Sequence, residues 1–253
     1  MDEIKSVITQ GGAFKFEEAA RYFKGKITLK PSEFYKMAEQ YRSLAFTVSN
    51  YSKLEVLNKF REELLRAIED GETMATFKER MDSFLTDQGY KGTTPFQVRT
   101  IFETNIQTAY QVGHYDQMTD PGVQKLRPYW QYQAVQDSRT RPAHLEMDGK
   151  VFPADSPVWD TWYPPNGFKC RCTVTSLSAR QVRERGLKVE HEVPLRIQLP
   201  DGRLIVMHPD VHFAYNPAKR QWSPDLTDYP EPLKKAYATM QKGGKAKQAA
   251  KKP

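Results

Sequence analysis

The sequence has only two cysteines, and none of its stretches approaches the eighteen or so consecutive apolar residues that a membrane-spanning helix needs. No spanning helix and no membrane partner are therefore expected. The two thiols, Cys170 and Cys172, are one residue apart, so they cannot form the long-range cross-links of a disulfide-built secreted scaffold. Either the compartment is reducing or the thiols have another use. The first residues, MDEIKSVITQGG, carry acids at Asp2 and Glu3 and lack the apolar segment of a secretory signal. The expectation is synthesis and assembly in the cytoplasm.

Acidic residues are missing from one place, and that absence locates the charge. The chain of 253 residues has a formal net charge of +7, from 38 Lys and Arg against 31 Asp and Glu. Seven of the lysines (Lys234, Lys235, Lys242, Lys245, Lys247, Lys251 and Lys252) fall after residue 233, where no acid occurs; without them 31 basic residues face 31 acidic ones. The body is thus formally neutral and is no general nucleic-acid binder by charge. The tail is first of all a solubilising or disordered end, and its Lys242, Lys245, Lys247, Lys251 and Lys252 are candidates for salt-sensitive contact with double-stranded DNA.

What is present divides by periodicity. Residues 17–24 read as a short helix. A longer one begins at Pro31 and Ser32 and carries Phe34, Met37, Tyr41, Leu44 and Val48 at helical spacing. Ser52 and Glu55 form a capping-box pattern ahead of Leu57, Phe60, Leu64 and Ile68, with a stop at Gly71. Thr73 opens a helix through Phe77, Met81, Phe84 and Leu85 that stops at Gly89. Thr94 and Pro95 start the longest, which runs to a breaker at Asp120-Pro121-Gly122. Its Asn105, Gln107, Thr108 and Gln111 read first as a solvated face, and second as a surface meeting a partner or another layer.

After Gly122 the period changes to two. Trp130, Tyr132 and Ala134 mark one strand and residues 170–175 another; residues 195–206 around Pro200-Asp201-Gly202 mark a hairpin, and Ser178 to Gly186 one short helix. The reading is an α+β chain. It comprises a helical region at 1–122, a small mixed β-rich unit at 126–207, an extended C-terminal arm at 208–233 and the lysine-rich tail at 234–253.

The densest chemistry lies between Asp137 and Cys172, DSRTRPAHLEMDGKVFPADSPVWDTWYPPNGFKCRC. It is either a ligand cluster or a structural clasp. As a zinc site it offers His144, Cys170 and Cys172, with Asp148 or Asp160 as a fourth ligand. Two thiolates on one zinc lie about 3.8 Å apart, whereas side chains two apart on a regular strand stand about 6.5–7 Å apart. That spacing favours small buried apolar thiols over a metal. As catalytic machinery, His144 could pair with Asp137, Asp148 or Asp160 and Cys170 could be a nucleophile, but nothing positions them. No Gly-rich phosphate loop, HExxH, GxSxG or nuclease-like metal signature occurs, so neither enzyme activity nor a cofactor is expected. As a clasp, Pro142 starts a short helix carrying His144 and Gly149 ends it. Trp159, Trp162, Tyr163 and Phe168 then anchor a proline-stiffened loop, while Arg139, Arg141 and Arg171 pair with Asp137, Asp148, Asp155 or Asp160. Such a loop also suits protein docking.

The order D-S-R-T-R-x-x-H-x-x-x-D-G-K-V-F, then W-D-x-W-Y-P-P-N-G-F-x-C-R-C, resembles the phage Mu F-like minor head proteins of the head-morphogenesis family. The early FEEAARYFKGKITLKPSEFYKMAEQYRSLAFTVS, the helix from Thr104 to Tyr110, RPYWQYQAV and the late FAYNPAKRQWSPDL look like the same family. By motif match the signature positions are Asp137, Arg139, Arg141, His144, Asp148, Gly149, Pro164, Pro165, Cys170, Arg171 and Cys172. The resemblance implies a minor structural protein of a tailed-phage head. It would be a non-enzymatic virion component, assembled in the host cytoplasm, acting in head morphogenesis and genome packaging through the portal or major capsid protein. Relatives often place a histidine near the Pro-Pro step or just before the C-R-C triplet, where this chain has Trp162, Tyr163 and Phe168. That departure counts against a metal.

Overall fold

The computed structural model describes residues 16–37 and 39–219. The lysine-rich tail, and the part of the expected arm beyond Lys219, lie outside the described residues.

The helical half follows its sequence signals closely from Leu54 onward. Helix α1 is Glu17–Lys24. Strand β1, Ile27–Thr28, leads to the four-residue α2, Pro31–Phe34. A 3-10 helix, Glu39–Leu44, and β2, Ala45–Phe46, come next. The long helix expected from Pro31 to Val48 is thus broken. Ile27 and Thr28 pair in parallel with Ala45 and Phe46, and Phe46 and Val48 enter the core from extended backbone. Beta-branched and aromatic residues over 46–48 suit that conformation better than a helix.

Helix α3, Leu54–Asp70, begins one residue later than its capping-box pattern demands, with Lys53 at the N-cap and no side-chain cap. It does end at Gly71, whose φ of 68° is the left-handed C-terminal conformation that glycine adopts freely. Helix α4, Met74–Asp87, is capped by the Thr73 hydroxyl, which accepts from the Thr76 amide. Helix α5, Pro95–Met118, is at 24 residues the longest among the described residues and starts with a full capping box between Thr94 and Gln97. Phe23, Phe46, Phe60, Leu64, Phe77, Met81 and Val98 share one core among these elements. Against α1, helix α5 has room only for Gly113, where a Cβ would stand 2.8 Å from the Ala19 amide nitrogen and 2.9 Å from Phe16 Cζ.

The Asp120-Pro121-Gly122 step ends α5 and also starts a helix. Asp120 Oδ1 accepts from the amides of Gly122 and Val123, giving α6, Pro121–Leu126. Strand β3, Tyr129–Gln133, is the centre of an antiparallel sheet with β4, Val151–Pro153, on one side and β5, Thr173–Leu177, on the other. Trp130 lies opposite Phe152 and Ser176, and Tyr132 opposite Val174. Helix α7, Pro142–Met147, connects β3 to β4 and α8, Val158–Trp162, follows β4. Helix α9, Ala179–Glu184, has the Ser178–Gln181 capping box. The hairpin pairs β6, Arg196–Gln198, with β7, Leu204–Val206. Trp130, Tyr132, Phe152, Trp159, Tyr163 and both cysteines form a second core.

Of the four polar residues noted on α5, Gln107 and Gln111 reach this second core, joined by His114, while Asn105 and Thr108 hydrogen-bond back to the Ile101 and Thr104 carbonyls of their own helix. Gln107 Nε2 donates to the Cys172 carbonyl at 2.9 Å, Gln111 Nε2 to Thr173 Oγ1 at 3.0 Å, and His114 Nε2 lies 2.9 Å from the Val174 carbonyl oxygen. A backbone edge entering a sheet needs partners, and the amide side chains supply them. The α+β class with a helical first half and a small β-rich unit holds.

Candidate functional site

Helix α7 starts at Pro142, whose fixed φ suits a first turn and whose missing N–H is not needed there. One turn carries His144 inward, and Gly149, at φ 78°, turns the chain into β4. The cysteines arrive from the other side of β3. Strand β5 begins only at Thr173, so Cys170 and Cys172 lie on its lead-in and the spacing of a regular strand does not apply to them. Lys169 adopts φ 57°, and the Cys170 amide closes a turn onto the Gly167 carbonyl at 3.2 Å. This bend lets both thiols converge on the imidazole. His144 Nδ1 lies 3.8 Å from Cys170 Sγ and 3.6 Å from Cys172 Sγ, and all three ligand atoms lie within 4.8 Å of one another.

The cluster is buried: His144 is 1% exposed, Cys170 5% and Cys172 1%. Both cysteines are free. His144 Nε2 is buried and has no hydrogen-bond partner, and the ring otherwise meets the Trp162 indole edge-on at 6.3 Å between centroids. A hydrogen bond from Cys172 and the nearby His144 pull the Cys170 thiol well below its ordinary value despite burial, while the contact with Cys170 and burial push the Cys172 thiol up. Tyr132 borders both sulfurs and donates from its hydroxyl to Asn166 Oδ1 at 2.8 Å.

The other signature residues build the walls. Arg171 points away from the cysteines on either side of it and pairs with Asp137, which also accepts from Arg139. Arg141 pairs with Asp210 at 2.6 Å and donates to the Phe168 carbonyl at 3.0 Å. Asp148 joins no metal cluster and no arginine; its carboxylate accepts from the Ala134 amide at 2.7 Å and from Gln136 Nε2. Asp160 is half-exposed and pairs with Lys219. The expected fourth ligand from Asp148 or Asp160 is therefore absent, as is an acid orienting His144, among the described residues. Asp155 likewise takes no part in these arginine pairs among the described residues, and the unforeseen partner is Asp210. Pro164 and Pro165 are buried around a cis peptide bond. Trp159, Trp162 and Tyr163 are buried anchors as expected, whereas Phe168 is half-exposed against Phe213.

Sequence reasoning missed Asn166, which is fully buried with its side chain against Tyr132. It also missed Thr104, whose hydroxyl meets the Lys169 amide at 3.4 Å. The polar density of α5 was the available signal for the latter.

His144, Cys170 and Cys172 thus form a buried cluster between a helix and a strand lead-in, inside a helical-plus-small-sheet chain. Residues 58–175 match the family described as Phage Mu protein F like protein, so this chain carries the Mu F-like region that its central motif resembles. It is similar to the "Putative capsid assembly protein F" of Escherichia phage Mu, 33% identical over 83% of this chain and 55% of that protein. It is also similar to the "Mu-like prophage FluMu F protein" of Haemophilus influenzae, 38% identical over 61% of this chain and 40% of that protein. The chain thus spans about half the length of the curated relatives it matches. No solved structure matches it.

Proposed function

We propose that this chain is a minor structural component of a tailed-phage head and acts in head morphogenesis. One observation carries the reading: similarity across 83% of the chain to a phage protein named for capsid assembly. It would act in the virion head, after assembly in the host cytoplasm, through contacts with the portal protein or the major capsid protein. Burial of the chemically reactive residues supports a contact-based role, since His144, Cys170 and Cys172 offer no exposed nucleophile or base. No helix among the described residues is long and apolar enough to cross a membrane. The lysines of the tail give it an electrostatic means of touching packaged duplex DNA. Inactivating the gene in the phage or prophage that encodes the chain tests the reading. Aberrant or unfilled heads by electron microscopy are expected, restored by the gene in trans, and normal infectious particles from the inactivated genome would refute it.

A further inference from the structure

We propose that His144 Nδ1 and the Sγ atoms of Cys170 and Cys172 bind a single zinc ion that staples helix α7 to the lead-in of β5. A tetrahedron with Zn–S of about 2.3 Å and Zn–N of about 2.0–2.1 Å has N–S edges of about 3.5–3.6 Å. The chain holds the His144 nitrogen 3.6 and 3.8 Å from the two sulfurs. The two N–S edges are thus within a few tenths of an ångström of coordination spacing, all three ligand atoms lie within 4.8 Å of one another, and the left-handed residue Lys169 bends the chain beside them.

The donor set selects the ion. Two thiolates and an imidazole are soft and borderline donors that suit zinc over magnesium, calcium or manganese. Charge balance points the same way. A dication with two thiolates makes a neutral unit, which a core walled by Trp162, Tyr132 and Tyr163 can accommodate far better than a lone thiolate. His144 adds an independent sign: its Nε2 is buried without a hydrogen-bond partner, and the ring's polar contacts are those of Nδ1 with the two sulfurs.

Position argues for a structural ion. A surface cavity lined by Gln136, Asp137, Ser138 and Leu145 passes nearby, and none of the three ligands lines it. The described residues supply three ligands and no fourth His, Cys, Asp or Glu, so the fourth position is left to an exogenous ligand such as water. The staple would fix the Cys172 carbonyl where Gln107 of α5 reaches it, tying the sheet to the helical half.

The test uses the full chain, purified without a polyhistidine tag from zinc-supplemented cells. Elemental analysis should give one zinc per chain, and replacement by cobalt should give a thiolate-to-cobalt charge-transfer band with visible bands of tetrahedral intensity. Cys170→Ser and Cys172→Ser should each lose the ion. His144→Cys keeps a ligand, so it should retain zinc and strengthen the cobalt charge-transfer band, which covers the case in which the serine variants fail to fold. Wild-type protein that is zinc-free, gives no cobalt–thiolate band and melts at the same temperature with zinc or chelator would overturn the proposal. Zinc kept at full stoichiometry by folded serine variants would overturn it as well.

Discussion

Arg171 and Asp137, 34 residues apart in sequence, meet in a two-pronged pair, with Nη1 donating to Oδ2 at 2.8 Å and Nη2 to Oδ1 at 2.5 Å. Arg171 sits between the two cysteines, so holding its guanidinium outward on Asp137 turns both thiols inward. The hydrogen bond from Arg171 keeps the Asp137 carboxyl well below the usual carboxylate range. A depressed folded value stabilises above the unfolded pKa of about 3.9 and is lost as pH falls through the folded one. Asp137→Asn should therefore lower the melting temperature at neutral pH, and its gap to wild type should narrow below about pH 4. An unchanging gap across that range would contradict the assignment.

Lys26 gives the opposite pH signature. Burial pulls its amine down to about 7 from an ordinary 10.5, while Nζ donates to the Ser43 carbonyl at 2.5 Å and sits 4.7 Å from the Tyr22 ring centroid. Between those values the unfolded chain binds a proton that the folded chain does not, so stability rises with pH through the window. Denaturation of wild type and Lys26→Met from pH 6 to 10 should show wild type gaining on the variant, by on the order of a few kcal/mol. A constant difference would mean that Lys26 is charged in the fold.

Glu63 of α3 is nearly buried between Lys59, at 2.7 Å, and Arg80 of α4, which also binds Glu72. Burial pushes its carboxyl up, but the hydrogen bonds from Lys59 and Arg80 outweigh that and hold it below its ordinary value. Arg80→Met should cost about 1–3 kcal/mol in urea unfolding, because it leaves the nearly buried Glu63 carboxylate with the Lys59 pair but without its Arg80 hydrogen bond. Arg80→Met paired with Glu63→Met should recover part of that loss.

Gly167 has no room for a side chain. A Cβ there would stand 2.3 Å from Asp210 Oδ2 and 3.0 Å from Arg141 Cζ, while the Asp210 amide is fixed on the Asn166 carbonyl at 2.9 Å. Gly167→Ala should destabilise by about 1–3 kcal/mol through loss of the Arg141–Asp210 pair. Thermal melts of Gly167→Ala and Asp210→Ala should fall by similar amounts.

The lysine tail has a separate test. Deleting residues 234–253 should abolish salt-sensitive duplex binding in a gel-shift assay while leaving the melting temperature of the folded body unchanged. Equal binding by the truncated chain would remove DNA contact through the tail.

Much of the architecture was legible because local signals and burial agree. Thr94-Pro95, Gly71 and Ser178-x-x-Gln181 mark element ends by mechanisms that act within one turn. Residues 31–48 misled because helical spacing of apolar residues cannot reveal that Ile27 will pair with Ala45. The Cys170–Cys172 spacing misled for a related reason: a positive φ at a lysine is invisible in sequence, and it converts strand-like alternation into a bend. The polar face of α5 was visible, but its partners lie more than 60 residues away. Only the fold could assign them.

The proposed role of the chain is in head morphogenesis. Its most direct test is the structure and infectivity of particles made without it: inactivation should yield aberrant or empty heads that the gene in trans restores. Fully packaged, infectious particles of normal protein composition from the inactivated genome would contradict the account.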